Sequence, residues 1–240
     1  LFSFPDLYGE VTARPLLVSV AGGRQTIPSL GLSWDLKENF GMLGTDMFID
    51  TLVRLQAGRY SFRTHSTIRD MRGWAPYLNQ PGMTTCAAIL DYSGMRIGGD
   101  FDIIGYGRSR LGVDIDYDLH KPIFTEAIMT PGGGKKLLAE NNAITVGIHG
   151  LLCPPLHYYG LSGVIEGKMR WPIAGAAITD YEISAGLKTA ETVLGIVALK
   201  TGYRRTQIDF RASQLYNGAP VTTYFNAALD GWFLELAYYY

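Results

Sequence analysis

Four histidines, His65, His120, His149 and His157, are the first places to look for chemistry in this chain. None stands in an H-E-x-x-H or comparable metal-binding spacing. A Ser–His pair on a strand needs even spacing to share a face. His65 and Ser66 are adjacent, so they point to opposite faces. His149 shares a face with Thr145, but the residue two further on is Leu151. Gly132 to Gly134 followed by Lys135 and Lys136 superficially resembles a phosphate loop. It lacks the G-x-x-x-x-G-K-[ST] pattern and the strand-then-helix context, so a surface loop is expected. Asp114, Asp116 and Asp118 form an acidic row whose oxygens would suit calcium. Arg108 and Arg110 lie on the same face, and buried charges need partners, so the row reads as part of a mixed-charge network. Cys86 and Cys153 have no metal spacing. They read as two isolated small apolar residues, with a disulfide between them left open. No catalytic, cofactor-binding or metal site is expected from these residues, and an enzyme is not expected.

The elements that carry these residues alternate with a period of two. From Arg108 to Leu119 one row is Arg108, Arg110, Gly112, Asp114, Asp116 and Asp118. The other is Ser109, Leu111, Val113, Ile115, Tyr117 and Leu119. A helix would scatter those charges around its axis; a strand sorts them onto one face. The same grammar sets Arg96, Asp100 and Asp102 against Ile97, Phe101 and Ile103. It sets Glu166, Lys168 and Arg170 against Leu161, Ile165, Met169 and Trp171. It sets Asp180, Glu182 and Lys188 against Tyr181, Ile183 and Leu187. Ser29 to Leu36 repeats it, with Leu30, Leu32, Trp34 and Leu36 on one side. Weaker candidates are Leu7 to Val20, Asp46 to His65, Ala143 to Leu151 and Val193 to Arg211, and the strand before Ile103 is expected to begin near Thr84. About ten strands result, with eight or twelve as alternatives.

The bulk composition narrows the class. Hydrophobic residues make up 47% and charged residues 18% of 240 positions, below the roughly 25% charged usual in soluble domains. No apolar run approaches the ~18 residues of a transmembrane helix. Tyrosine (15), phenylalanine (10), tryptophan (4) and glycine (29) are abundant, as strands and turns require. The net charge of −1 and the lack of a basic patch with interleaved aromatics argue against a nucleic-acid partner. Connections alternate in length. Short ones fall at Ile104 to Gly107, Cys153 to His157 and Thr189 to Glu191, and long ones at Ser66 to Met83 and His120 to Asn142. Asn217-Gly218 and Pro131 to Gly134 are loop chemistry. The Ile173 to Gly175 link is short although it falls at the long-loop end. One helical turn is expected over Lys135 to Glu140. The chain reads as one domain, residues 1–240.

The last nine residues, Trp232 to Tyr240, put Trp232, Leu234, Leu236, Tyr238 and Tyr240 on one face and Glu235 on the other. This stretch resembles the closing strand of bacterial outer-membrane β-barrels, whose C-terminal signal is an alternating apolar row with a final aromatic. The resemblance is to the class and covers the last strand alone. It implies an all-β fold, a closed antiparallel up-and-down transmembrane barrel. Aromatics at row ends, Trp34, Trp171, Trp232, Tyr238 and Tyr240, would then sit at the membrane interface. It also implies the outer membrane as location, in the mature form without a signal peptide, and contact with outer-membrane lipid. The assembly machinery would read the C-terminal strand, and a protein partner could engage the long loops. Outer-membrane lipid hydrolases place His and Ser two apart on one strand face, a pattern absent here. The lumen is expected to hold Arg96, Asp100, Asp102, Arg108, Arg110, Asp114, Asp116, Asp118, Glu166, Lys168, Arg170, Asp180, Glu182 and Glu235. The expected function is a porin-like or small-solute channel whose lumen charges set selectivity, with a filled structural or interaction barrel as the alternative and a lipid-modifying enzyme as the third reading. No cofactor is expected.

Overall fold

The computed structural model describes residues 7–68, 70–76, 84–106, 109–119, 121–126, 135–139, 142–154, 157–158, 160–190, 193, 195–216 and 219–240. Its strands are β1 (Leu7–Ile27), β2 (Leu32–Asp35), β3 (Thr45–Ala57), β4 (Tyr60–Ile68), β5 (Asp70–Pro76), β6 (Thr84–Asp91), β7 (Gly94–Tyr106), β8 (Ser109–Asp118), β9 (Ile123–Glu126), β10 (Lys135–Leu138), β11 (Ile144–Leu152), β12 (His157–Tyr158), β13 (Leu161–Ala174), β14 (Ala177–Thr189), β15 (Ile196–Tyr216) and β16 (Ala219–Tyr239). Ten of them close into a ring in which every neighbour is antiparallel. The order is β1, β3, β4, β7, β8, β11, β13, β14, β15, β16 and back to β1. Closure leaves no sheet edge with unpaired N–H and C=O groups, the requirement for a sheet in hydrocarbon. Among the described residues there is no α-helix.

β1, β15 and β16 have 21 residues each, twice the 9–11 or so that cross a bilayer core. The side-chain rows show where the crossing stops. On β15 the outward row begins Val197, Leu199, Thr201, Tyr203, then turns polar at Arg205, Gln207, Asp209, Arg211 and Ser213. The inward row does the reverse: Lys200, Arg204 and Thr206 give way to Ile208, Phe210 and Ala212. On β16 the outward row is apolar from Trp232 to Tyr238 and polar near Asp230 and Asn226, while the inward row runs from Glu235 to Leu229, Ala227 and Phe225. One half of the barrel is therefore apolar outside and charged inside. The other half is built like a water-soluble protein.

That second half holds the apolar core. The long connections between β4 and β7 and between β8 and β11 each carry a hairpin, and the two hairpins join as a separate four-stranded sheet, β10-β9-β6-β5. Its Met71, Leu90, Phe124 and Leu137 are buried with Ile208, Phe210, Phe225 and Leu229 of the barrel's inner face. Phe124 packs on Phe225 with ring centroids 4.7 Å apart, Phe225 on Phe210 at 4.9 Å, and Phe40 on Phe124 at 5.2 Å. This end is called the loop end below. The opposite end, where β3 meets β4 and β7 meets β8, is the turn end.

Several local expectations are corrected here. Ser29 to Leu36 is no barrel strand. It becomes a 3-10 turn (Pro28–Leu30) and the short β2, which pairs with the loop end of β1. Trp34 packs against the apolar core there, away from the lipid band. Lys135–Leu138 is strand β10, not a helical turn, because it pairs with β9. The segment near Thr84 is β6, which leaves the barrel for the separate sheet before β7 begins. Asp46 to His65 spans two strands, joined at Gly58, whose φ of 62° fits the turn. Residues 131–134 and Asn217-Gly218 lie outside the described residues, although β15 and β16 pair up to Tyr216↔Ala219 on either side of the latter.

Candidate functional site

More than twenty inward side chains of the membrane-spanning half are charged or histidine, interspersed with Gly, Ser, Thr and small apolar residues, and the charges meet across the barrel. Arg14 on β1 donates 2.7 Å to Glu182 Oε2 on β14 and also to Glu235 on β16. Lys200 on β15 donates to Glu166 Oε2 at 2.7 Å and to Glu235. Lys168 reaches Glu166 at 2.8 Å and Glu182 at 3.9 Å. Arg54 joins Glu10 at 3.0 Å to Asp100 at 3.1 Å. Arg63 on β4 reaches Asp116 at 2.7 Å, Asp114 at 3.2 Å and Asp100. Arg170 reaches Asp116 at 3.0 Å. Arg96 bridges Asp118 at 2.8 Å and Asp180 at 3.0 Å, and Arg204 bridges Asp180 at 3.0 Å and Asp50 at 2.8 Å. Arg110 donates to Gln56, which donates to Asp102 at 3.0 Å. Arg108 lies outside the described residues.

The sequence reading missed Glu10, Arg14, Asp50, Arg54, Arg63, Lys200 and Arg204, all buried. Their signal was available. They keep the same parity as the inward rows of β1, β3, β4 and β15, in segments that read as weaker strands. On β15 the reversal of polarity along the strand cancels the overall alternation, and so hides Lys200 and Arg204.

Three inward rows bring Asp100 (β7), Asp114 (β8) and His149 (β11) together, with one donor atom from each within 4.8 Å of the others. The register makes this inevitable: Asp100 pairs with Asp114, and Asp114 with Gly147, two residues from His149. Gly112 and Gly147 make the space. A Cβ at Gly112 would stand 2.6 Å from His149 Cε1, and one at Gly147 would stand 2.3 Å from Asp114 Oδ1. His149 Nε2 donates to Asp102 Oδ1 at 3.0 Å, and Nδ1 faces Asp114 Oδ2 at 3.9 Å. Both oxygens of Asp114 and Nδ1 of His149 are buried without a hydrogen bond. A base oriented by one carboxylate and open on its other nitrogen is an acid–base arrangement. The same three donors are of the types that hold a divalent cation. Asp100 and Asp114 are already neutralised by Arg54, Arg63 and Arg170, so a cation has to displace guanidinium groups to bind. The expectation that the chain carries no catalytic or metal-competent group, and is no enzyme, is corrected by this cluster, which sequence spacing could not reveal because its members come from three strands.

A second feature lies at the loop end. A cleft of about 570 Å³ is lined by Arg24, Asp209, Phe210, Arg211, Tyr224, Phe225 and Asn226, with the β13–β14 turn at Gly175 and Ala176. The Arg211 guanidinium lies 5.4 Å from the Tyr224 ring centroid, and Asn226 donates to Asp209.

No family model matches this sequence, and no curated protein matches it. Among solved structures, similar folds include the outer membrane protease OmpT from Escherichia coli, at 11% identity and TM-score 0.48, covering 100% of this chain and 99% of that one. The transport unit of the autotransporter AIDA-I from Escherichia coli has 9% identity and TM-score 0.37, covering 97% and 89%. A Pseudomonas aeruginosa FadL homologue has 10% identity and TM-score 0.32, covering 98% and 90%. At these identities and scores they assign neither family nor activity. What decides the class is the closed ring with an apolar outer band around a charged interior. The chain is a bacterial outer-membrane β-barrel. It presents Leu111, Val113, Ile115 and Tyr117, all exposed, to membrane lipid, and buries Asp114, Asp116 and Asp118 between them.

Arg63 reaches three carboxylates, so its removal tests how the interior is held. Arg63→Ala leaves Asp100, Asp114 and Asp116 short of a partner, and losing one member of a buried pair costs about 3–5 kcal/mol. Urea unfolding of the protein in vesicles should show a loss of that size. A loss under about 1 kcal/mol, the value for exposed pairs, would mean the carboxylates are freely hydrated.

Proposed function

We propose that this protein is a non-conducting, single-domain outer-membrane barrel that engages a partner at its loop end. The observation carrying this reading is the filled interior. Among the described residues of the charged half, two voids between the ion pairs are about 20 Å³ each, near the volume that holds one water. A ten-strand barrel is narrow enough for side chains to fill it. Here Arg14, Arg96 and Arg204 reach carboxylates three or four strands away around the ring, and Lys168 and Lys200 end on carboxylates within two strands. Beyond them the apolar core closes the loop end. The inward charges therefore serve one another rather than a passing solute, which speaks against the channel reading. With the lumen occupied, the 570 Å³ cleft has the volume and the mix of aromatic and polar walls expected of a binding site. Its end of the barrel faces outward if the short turns face the periplasm, as they do in this class. The apolar row from Trp232 to Tyr240 is read in the same proposal as the signal that the assembly machinery recognises.

A second reading rests on His149. Held by Asp102 and open toward Asp114, it is placed to take a proton from a water or a substrate hydroxyl, in an enzyme acting on outer-membrane lipid.

Three measurements bear on these readings. In planar bilayers the purified barrel should give no discrete conductance steps; steady ohmic steps would restore the channel. Deleting Tyr240, or replacing Tyr238 and Tyr240 by Asp, should lower the heat-modifiable fraction recovered in the outer membrane while export continues. Insertion at the wild-type level would remove the terminal row from the recognition step. For the second reading, folded protein is incubated with radiolabelled outer-membrane lipids. Turnover that disappears in His149→Ala, with heat-modifiability kept, supports it, and equal product from both proteins or from neither defeats it.

A further inference from the structure

The lipid-facing wall is not uniformly covered. On the outward rows of β11 and β13, Gly150 pairs directly with Gly167. They floor an open groove of about 340 Å³, bordered by Leu111, Ile148, Met169, Tyr181, Ile183 and Tyr203. Nothing inside the chain requires glycine at either position. Neither has a positive φ. A Cβ at Gly150 would meet its nearest atom, Leu111 Cδ1, at 3.6 Å, and one at Gly167 would meet Glu182 O at 3.9 Å, both ordinary contacts. At Gly99 and Gly163, also on outward rows, a Cβ would press on Ser61 O at 3.3 Å and Pro154 Cγ at 3.2 Å. At the inward Gly112 and Gly147 it would collide outright. Glycine in a strand interior weakens the strand, and where no bulge or turn explains it, it marks close approach by another molecule. Gly150 and Gly167 pair without a local register shift, which leaves a tight bend of the wall or close approach of another molecule, and the open groove above both glycines favours the second.

We infer that the Gly150–Gly167 groove is a binding site for one acyl chain of a membrane lipid. The groove lies in the apolar outer band and is continuous with the surface that meets the bilayer. Ile148, Leu111 and Ile183 stand exposed around it, so a chain laid on the glycines touches side chains on several sides rather than one. Its volume holds roughly ten water-sized groups at about 30 Å³ each, and a methylene is of comparable size, which suits a long stretch of one hydrocarbon chain. Lys168, His149 and Glu182 also line the groove, but the Lys168 ammonium is turned inward onto Glu166 at 2.8 Å, so the outward side chains of the rim are apolar or aromatic and the site selects the chain rather than the headgroup.

The test uses the full folded protein in vesicles of phosphatidylethanolamine and phosphatidylglycerol, doped with a phosphatidylethanolamine carrying a diazirine at mid-chain. After irradiation, label should concentrate on Ile148 and Ile183, several-fold above Leu234 and Leu236, which are comparably exposed. In the double variant Gly150→Leu, Gly167→Leu that excess should vanish while heat-modifiability is kept. Even labelling around the barrel, or an excess that survives the double variant, overturns the inference. Should the double variant fail to fold, native mass spectrometry of the wild type decides. One retained phospholipid per barrel supports the site, and bare barrels overturn it. A dimer cross-linked through Ile148 or Ile183 would hand the groove to a second copy of this chain, and equally overturn it.

Discussion

A charge enclosed by ten strands has to find its counter-charge inside the same ring. Voids of about 20 Å³ have room for about one water each, too little to hydrate an ion, and an unpaired ion in such surroundings costs several kcal/mol. Every other property of the membrane-spanning half answers to this. Arg14, Arg63, Arg96 and Arg204 each span two or more carboxylates, since the planar guanidinium can serve several acceptors at once. Glycines at Gly112 and Gly147 yield volume to His149, Asp114 and Arg170. The network does not by itself make the barrel more stable than a packed apolar interior would be. It fixes which residue faces which, and so fixes the register of neighbouring strands.

The bilayer imposes the complementary constraint on the outside, and it ends abruptly along β15 and β16. Past Tyr203 and Trp232 the outward side chains become polar and the inward ones apolar. An aromatic pair marks that boundary, Tyr203 against Trp232 with centroids 5.3 Å apart. Such amphipathic rings favour the interface between hydrocarbon and water. Above it, tall strands must bury an apolar face as any water-soluble sheet does. The separate sheet of β5, β6, β9 and β10 supplies the second layer.

The barrel was legible in the sequence because one local rule, alternation, governs every residue that crosses the membrane. The rows of β7, β8, β13, β14 and β16 read directly as lipid-facing and charged. The second sheet was not legible for two physical reasons. Its strands are four to eight residues long, too short for a period to declare itself. Its central pairing, β6 with β9, joins segments more than thirty positions apart. Ser29 to Leu36 obeyed the alternation for a different cause, burial under the loop-end core. The Asp100–Asp114–His149 cluster lay between these cases. The hairpin turn near Tyr106 sets Asp100 opposite Asp114, but bringing His149 beside them requires knowing that β11 neighbours β8.

The way the network is distributed also constrains how the ring can be assembled. Glu235 on the last strand depends on Arg14 from the first and Lys200 from the fifteenth, and Arg204 depends on Asp50. A sheet open between β1 and β16 would keep the Lys200–Glu235 pair of adjacent strands but break Arg14–Glu182, Arg14–Glu235 and Arg204–Asp50. Contacts between residues so far apart in sequence form late and slowly in any chain. Strand-by-strand insertion is therefore uphill until the seam shuts, and the lowest path is one in which the sheet curls and neutralises itself at the water boundary before it enters the bilayer. Closing the seam and pairing Arg14 with Glu182 and Glu235 are thus a single event.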